Sequence, residues 1–304
     1  MKNIHFITTC TARKSVIPSD KQCLNNYKNN NYLNWFTQLG PYGQEGVLVS
    51  VDELYTGQSF KIAKKTCEEL NIDMHVLSAG FGLLDSKQKI PPYNASFSPS
   101  KHKVPSPTNQ WWKKVTTNEY FNFSGSIKDL FKDHPNDTFI ICCGKEYLFA
   151  IKDDLHNAIT SLSDTEKQLI VICSDISKMS AAIKSNCIKS DSRFKNVPQQ
   201  IFNNSSITDR TLTTHVGCVV MKMLVDGSTV NSIINELNEL VKDVAPPTKP
   251  KRQQQSDEFI LNFIERALKD TPNIGCASLL KQYQSQGNAC LDTRFKALFK
   301  QVVK

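Results

Sequence analysis

The sequence predicts an α/β fold built on a mostly parallel sheet, and three observations lead there. Short apolar runs of strand length alternate with stretches of helical spacing through the first half of the chain. Several runs end in glycine or small polar residues: Met74-His75-Val76-Leu77 stops at Ser78-Ala79-Gly80-Phe81-Gly82, where paired glycines permit a tight turn and close backbone approach. Finally, 304 residues with 39% hydrophobic and 22% charged content suffice for one large core or two modest ones. The longest apolar runs, such as Phe139-Ile140-Ile141-Cys142-Cys143, are far too short to cross a bilayer.

In chain order, Ile4 to Thr9 reads as the first strand, with no signal-peptide pattern before it. It leads into Thr9-Cys10-Thr11-Ala12-Arg13-Lys14, small hydroxyl and thiol groups before two cations, a composition suited to a phosphate or an anionic transition state. A solvated strand exit explains these residues equally well. Asn25 to Asn34 is a polar loop that becomes an amphipathic helix near Trp35. Val47 to Val51 is a second strand candidate, and Ser59 to Leu70 has helical spacing, with Phe60, Ala63, Cys67 and Leu70 on one face.

After the glycine turn come Asp85 and Ile90-Pro91-Pro92-Tyr93-Asn94, a rigid segment that presents an aromatic ring and an amide. A strand that ends in a turn followed by such groups is how open α/β sheets build ligand sites, although a packed βα connection reads the same way. The loop from Ser98 to Pro107 carries Lys101 and Lys103 and precedes Trp111-Trp112-Lys113-Lys114. Lysines among aromatics suit a nucleic-acid backbone and its bases, whereas adjacent tryptophans are more often core anchors. Ser126 to Phe131 reads as a short helix. Thr138 to Cys143 is the clearest strand and ends in Gly144-Lys145-Glu146-Tyr147. Leu169 to Ser174 is a further strand, Asn186 to Asn204 is irregular, and Thr208 to Leu224 and Val230 to Val241 are helical.

The cysteines argue for a reducing, cytoplasmic setting. Cys10, Cys67, Cys142, Cys143, Cys173 and Cys218 sit in apolar runs, where free cysteine packs as a small hydrophobe. No CxxC or CxxH pair occurs to start a structural zinc site, so neither a metal nor a cofactor is expected. A formal net charge of +8 suits a polyanionic partner without requiring one.

Ala245 to Gln255, with three prolines and three cations, reads as a linker that closes a first domain of residues 1–244. Residues 256–304 then form a helical module, with helices expected after the cap Ser256, over Cys276 to Gln284 and over Thr293 to Val303. From Lys249 to Lys304 there are ten cations and five acids, a net +5 that carries most of the excess. Lys281, Asn288, Arg294 and Lys296 are the candidates for holding double-stranded DNA from this tail.

Four segments fall in a recognisable order: Cys10-Thr11-Ala12-Arg13-Lys14, Leu54-Tyr55-Thr56-Gly57, Leu77-Ser78-Ala79-Gly80-Phe81-Gly82-Leu83-Leu84-Asp85 and Pro92-Tyr93-Asn94. They resemble bacterial and phage proteins with a C-S/T-x-x-K, L-Y-T/S, L-S-A-x-x-G-L-L, P-Y-D/N series, and a domain of archaeosine synthase, which modifies a deazaguanine base in transfer RNA. The resemblance extends to about Tyr147. It implies a uracil-DNA-glycosylase-like three-layer α/β/α sandwich with a pocket for a nucleobase. True uracil-DNA glycosylases carry G-Q-D-P-Y-H after the first strand. This chain has Thr9-Cys10-Thr11 there and no aspartate, and His102 with Pro105-Ser106-Pro107 only echoes their later H-P-S-P-L run.

Breaking an N-glycosidic bond requires a pocket for the flipped base, a carboxylate for the sugar's developing positive charge and a donor for the departing base. The carboxylate candidates are Asp85 and Glu146, with Asp52 third, and Asn94 is the candidate reader of a base edge. Tyr55, Phe81 and Tyr93 are candidates to line the pocket. Cys10, Lys14, Ser78, Gly80, Gly144 and Lys145 are candidates for binding phosphate or the leaving group. By analogy, the expected activity is a DNA glycosylase that removes a modified base, such as glucosylated hydroxymethylcytosine, from phage DNA in antiviral defence. The alternatives are a non-catalytic reader of modified DNA and a base-modification enzyme acting on RNA or nucleosides. A metal-dependent nuclease fits less well, since no DxD or ExK cluster stands at a strand end.

Overall fold

A computed structural model of the chain describes residues 3–27, 31–40, 47–120, 125–202, 207–248 and 251–303. Residues 28–30 of the expected polar loop, Lys249 and Pro250 of the expected linker, and Lys304 of the basic tail lie outside the described residues. The chain divides into two compact units, Met1–Pro246 and Pro247–Lys304.

In the first unit, β1 (Ile4–Thr9) is followed by α1 (Tyr32–Leu39), β2 (Val49–Ser50), α2 (Val51–Leu54), α3 (Gln58–Leu70), β3 (Asp73–Ser78), β4 (Gly82–Asp85) and β5 (Lys89–Ile90). Next come α4 (Thr108–Thr116), α5 (Ile127–Asp133), β6 (Thr138–Cys142), α6 (Lys145–Ala158), α7 (Thr165–Gln168), β7 (Leu169–Cys173), α8 (Ala181–Lys184) and β8 (Cys187–Lys189). The unit closes with α9 (Leu212–Val225) and α10 (Val230–Leu240). Six strands form one sheet in the order β4-β3-β1-β6-β7-β8. All neighbours run parallel except β3 and β4.

Every residue of β6 and of β7 is buried, as expected where helices cover both faces of a parallel sheet. Adjacent residues of β1 show the two faces directly. Phe6 lies against α9, where a Cβ on Gly217 would stand 3.0 Å from its ring. His5 points the other way and stacks on Phe139 at 4.9 Å, and Phe139 packs on Phe131 of α5 at 4.2 Å. Successive strand residues face opposite sides, so α9 and α5 lie on opposite faces of the sheet. Full burial of each such ring contributes roughly 1.5–3 kcal/mol.

Two elements depart from the sequence reading. Val47 to Val51 is not a strand of the main sheet: only Val49 and Ser50 pair, antiparallel to Lys89–Ile90, and Val51 already begins α2. Asp52 and Glu53 in the first turn of α2 suit the positive end of a helix, which favours the helical ending. Conversely, the stretch expected to be irregular contains β8, parallel to β7. Three residues are too few to show a period.

The turn after β3 also differs in kind. It is the corner of a hairpin that returns the chain as β4, with Ser78 opposite Gly82 and His75 opposite Asp85. Gly82 has φ +76°, and a Cβ there would come within 2.8 Å of the Gly125 carbonyl oxygen. That corner requires glycine.

The second unit contains β9 (Gln253–Gln254), α11 (Asp257–Asp270), α12 (Cys276–Ser285), β10 (Asn288–Ala289) and α13 (Asp292–Val302). Ser256 caps α11 by accepting from Phe259 N–H, as the sequence suggests. Ile260, Ile264, Leu279, Tyr283 and Phe295 form its separate core. Gln253 and Gln254, expected in the linker, instead pair in parallel with Asn288 and Ala289 and belong to this unit.

Candidate functional site

In an open α/β sheet, ligands bind at the carboxyl ends of the strands, where the strand order reverses. Here the chain passes from β1 to β3 on one side and later to β6 on the other, so the reversal lies between β1 and β6. A cleft of about 600 Å³ opens there. Thr8 and Thr9 of β1 with Cys10 after it, Cys142 at the end of β6 with Cys143 and Gly144 after it, Ser174 after β7 and Ser190 after β8 all line it. Its rim continues through Ala12, Ser59, Asp209 and Arg210 into a second cleft that Arg13 and Gly57 also line.

The first turns of three helices meet this cleft. Ser59 of α3, Gly144 at the start of α6, and Leu212 to Thr214 of α9 all line it. The helices are 13, 14 and 14 residues long, and none has a side chain capping its first amides. Uncapped N–H groups and aligned peptide dipoles make each start a favourable place for an anion. Ser59 Oγ donates to the Arg210 carbonyl oxygen at 2.8 Å, which ties the start of α3 to the segment before α9. Ser190 and Thr213 hydroxyls lie 3.0 Å apart, and Cys142 Sγ donates to the Thr213 carbonyl oxygen at 3.2 Å.

Two carboxylates line the cleft, and sequence reasoning named neither. Asp209 is ion-paired with Lys195. Asp191 accepts from Arg193 Nε at 2.8 Å through one oxygen and from Arg193 Nη2 at 2.9 Å through the other. Burial pushes the Asp191 carboxyl up, but the Arg193 guanidinium, the Arg193 amide and Lys189 together hold it below the usual carboxylate range. It is therefore ionised, held in place by the guanidinium, and poor at taking a proton. Asp191 follows the short β8, and the acid just past a strand end was the one signal that could have found it.

The expected base pocket is solid. Tyr55 OH lies 2.9 Å from Tyr93 OH, which lies 2.7 Å from Ser78 Oγ. Ser78 Oγ in turn accepts from Gly80 and Phe81 N–H at 3.2 and 3.0 Å. Phe81 packs edge-on against Tyr93 at 5.0 Å, and a Cβ on Gly80 would stand 2.6 Å from that ring. All five residues are buried, so their pattern builds core and leaves no space for a base. Asn94 is likewise occupied. Its Nδ2 donates to Cys23 Sγ at 3.3 Å, and its backbone bonds Gln22 and Leu24.

Lys14 lies against this cluster, its Nζ 5.0 Å from the Tyr93 ring centre and 5.6 Å from that of Tyr55. Burial lowers its pKa, partly offset by Cys10 and Cys23, and among the described residues no carboxylate pairs with it. Cys10, at the mouth of the cleft, has its Sγ 3.0 Å from Tyr147 OH. Burial raises the phenols of Tyr55, Tyr93 and Tyr147 well above their ordinary range.

The remaining expected residues separate. Asp85 lies opposite His75, about 10 Å back along the sheet from Ser78 at 3.3 Å per residue, at the amino end rather than in the cleft. Asp52 is also at that end, held by Lys87 Nζ at 2.6 Å and Lys64 Nζ at 3.3 Å. Gly144 and Tyr147 line the cleft while Glu146 between them does not, and Lys145 is exposed. Lys101 and Lys103 are exposed, but Trp112 is buried and donates through Nε1 to Asp154 Oδ2 at 2.8 Å. Trp112 is therefore a core anchor and cannot stack on a base without unfolding its surroundings.

In the second unit, Lys281 and Lys296 are exposed. Arg294 is paired with Asp257 and with the Gln255 carbonyl oxygen, and Asn288 is buried against Gln255. Those two residues hold the unit together, because β9 and β10 lie side by side there.

Residues 44–171 match the model of a family of unknown function, DUF6884. Neither a curated protein nor a solved structure matches the chain.

Proposed function

We propose that this chain is a DNA glycosylase with a uracil-DNA-glycosylase-like sandwich, which removes a modified base from phage DNA as an act of antiviral defence. The observation that carries this reading is the cleft between β1 and β6, lined both by three helix starts without side-chain caps and by the ionised Asp191. A nucleotide presents those same two charges when its glycosidic bond breaks: an anionic phosphate and a sugar that turns cationic. Helix starts hold the phosphate, and Asp191 stabilises the oxocarbenium-like sugar. A cleft of about 600 Å³ has room for a flipped nucleotide with a bulky base, and its hydroxyl lining suits a sugar-decorated one. Exposed Lys281 and Lys296 add sequence-independent affinity for the duplex.

The test incubates the full-length protein with unmodified DNA, DNA from phages with glucosylated or otherwise modified bases, RNA and free nucleosides, then applies hot alkali. Alkali-dependent breaks with a free base found by mass spectrometry support a glycosylase and identify its substrate. Breaks without alkali and without a free base sink the reading in favour of a nuclease, whereas such breaks with a free base add a lyase step. A second reading, a non-catalytic reader of modified DNA, has one observation in its favour: both oxygens of Asp191 are already taken by Arg193. Retarded migration of one modified DNA without base release would select it.

A further inference from the structure

The opposite end of the sheet carries a group of side chains that no part of the cleft chemistry uses. His5 stands near the start of β1, and His134 and Asp137 flank the turn that joins α5 to β6. Asp137 Oδ2 lies 3.1 Å from His5 Nε2 and 3.3 Å from His134 Nδ1, and the three donor atoms all fall within 4.8 Å of one another. We propose that His5, His134 and Asp137 bind a divalent transition metal, with zinc as the ion, in a structural site that fastens β1 to the α5–β6 turn.

The donor set and its spacing support this. Two imidazoles and one carboxylate are ordinary zinc ligands, and bonds of about 2.0–2.2 Å at tetrahedral angles place donors about 3.3–3.5 Å apart. The two shorter separations are already within about 0.3 Å of that value. The surrounding groups orient the ligands as an outer shell does. Asp137 Oδ1 accepts from Asn3 N–H at 3.0 Å, which leaves Oδ2 for the ion. His5 Nδ1 lies 3.1 Å from His75 Nε2 and 3.9 Å from Asp73 Oδ2, so its ring is held with Nε2 towards Asp137. The Asp137 carbonyl oxygen accepts from Gln168 Nε2 at 2.8 Å, fixing the backbone beneath it.

His134 is the half-exposed member, with 41% of its side chain accessible, and it provides a path for the ion and for a water as fourth ligand. His5 is 2% exposed, so the inner side of the site is closed to a substrate. The sequence reading looked for zinc among the cysteines. These ligands lie 129 and 132 residues apart from His5 and leave no local spacing to recognise.

The test loads the chelator-treated full-length protein with zinc, dialyses it and measures bound metal together with the thermal midpoint. The expected result is one zinc retained per chain and a midpoint that rises with zinc but not with magnesium. His134→Ala should lose both effects, and Asp137→Asn, which keeps the shape of the side chain, should weaken zinc at least tenfold. A cobalt-loaded sample separates this site from the ten cysteines, since nitrogen and oxygen ligands give no thiolate-to-metal charge-transfer band. No retained zinc, retention unchanged in both variants, or a thiolate band on cobalt would each overturn the proposal. The cobalt spectrum is taken on the unaltered protein, so it decides even where a variant fails to fold.

Discussion

The two ends of one sheet have opposite chemistry. At the carboxyl end, strands give way to helix starts, and the cleft there is lined by hydroxyls, three helix N-termini and two acids, Asp191 paired with Arg193 and Asp209 paired with Lys195. At the amino end, acids are enclosed by partners: Asp52 is ion-paired with Lys64 and Lys87, and Asp137 lies against the His5 and His134 rings. The difference follows from parallel pairing, which puts the N-terminal ends of the connecting helices on one side of the sheet and leaves that side short of anions. Function is therefore expected at the end where helix starts border a cleft, and stability at the end where side chains close on one another.

The largest effect should come from Asp191→Asn. Loss of a charge placed to stabilise the transition state typically costs about 10²–10³ in rate, so base release should fall by that much while DNA retardation persists. Retained release would remove Asp191 from the chemistry. The pH dependence has a definite sign. The folded pKa of Asp191 is depressed, so its stabilising charge is complete above the unfolded value of about 3.9 and is lost only as pH falls through the lower folded value. Release should accordingly show no acid limb from this group between pH 5 and pH 8, and an acid limb centred near neutrality would assign the chemistry to another residue.

Tyr93→Phe tests the other side of the comparison, buried polar groups whose partners are all supplied. Removing this hydroxyl leaves Ser78 Oγ and Tyr55 OH short of a partner, and a buried unsatisfied group costs about 1–3 kcal/mol. Denaturant unfolding should register that loss while base release at permissive temperature stays within about twofold. A selective loss of release with stability intact would return Tyr93 to the ligand site.

Gly144→Asp should separate function from stability in the opposite direction. Gly144 has φ −72° and ψ 158°, ordinary for any residue, and a Cβ there meets nothing within 4 Å. Aspartate at this position caps α6 and should leave stability unchanged or raise it by a few tenths of a kcal/mol. The same carboxylate would occupy the place proposed for a phosphate, so DNA affinity should drop about tenfold, or 1.4 kcal/mol. Unchanged affinity would show that the start of α6 holds no phosphate.

The sheet was legible because its strands are short, uniformly apolar and bounded by glycine or polar residues, and β1 runs from Ile4 to Thr9 as read. The place of the cleft was half legible: Cys10 and Gly144, singled out because each follows a clear strand, both line it. Asp191 was hidden because β8 is only three residues long. Tyr55, Ser78, Gly80, Phe81 and Tyr93 were misread for a physical reason. A buried hydrogen-bonded cluster needs the same glycines, hydroxyls and rings as a pocket, and only packing shows which has been built.

Asp85→Asn carries the smallest expected effect and bears on the comparison most directly. A strand, a glycine turn and an acid suggested catalysis, yet the turn at Gly82 sends the chain back along β3 and sets Asp85 beside His75. Its side chain there accepts from the Lys87 amide at 2.6 Å, a role that the asparagine carbonyl oxygen can also fill. Stability should therefore change by less than about 0.5 kcal/mol, as for most exposed substitutions, with base release unaltered. A marked loss of release with folding intact would mean that chemistry takes place at the amino end, and the division between an active end and a structural end would fail.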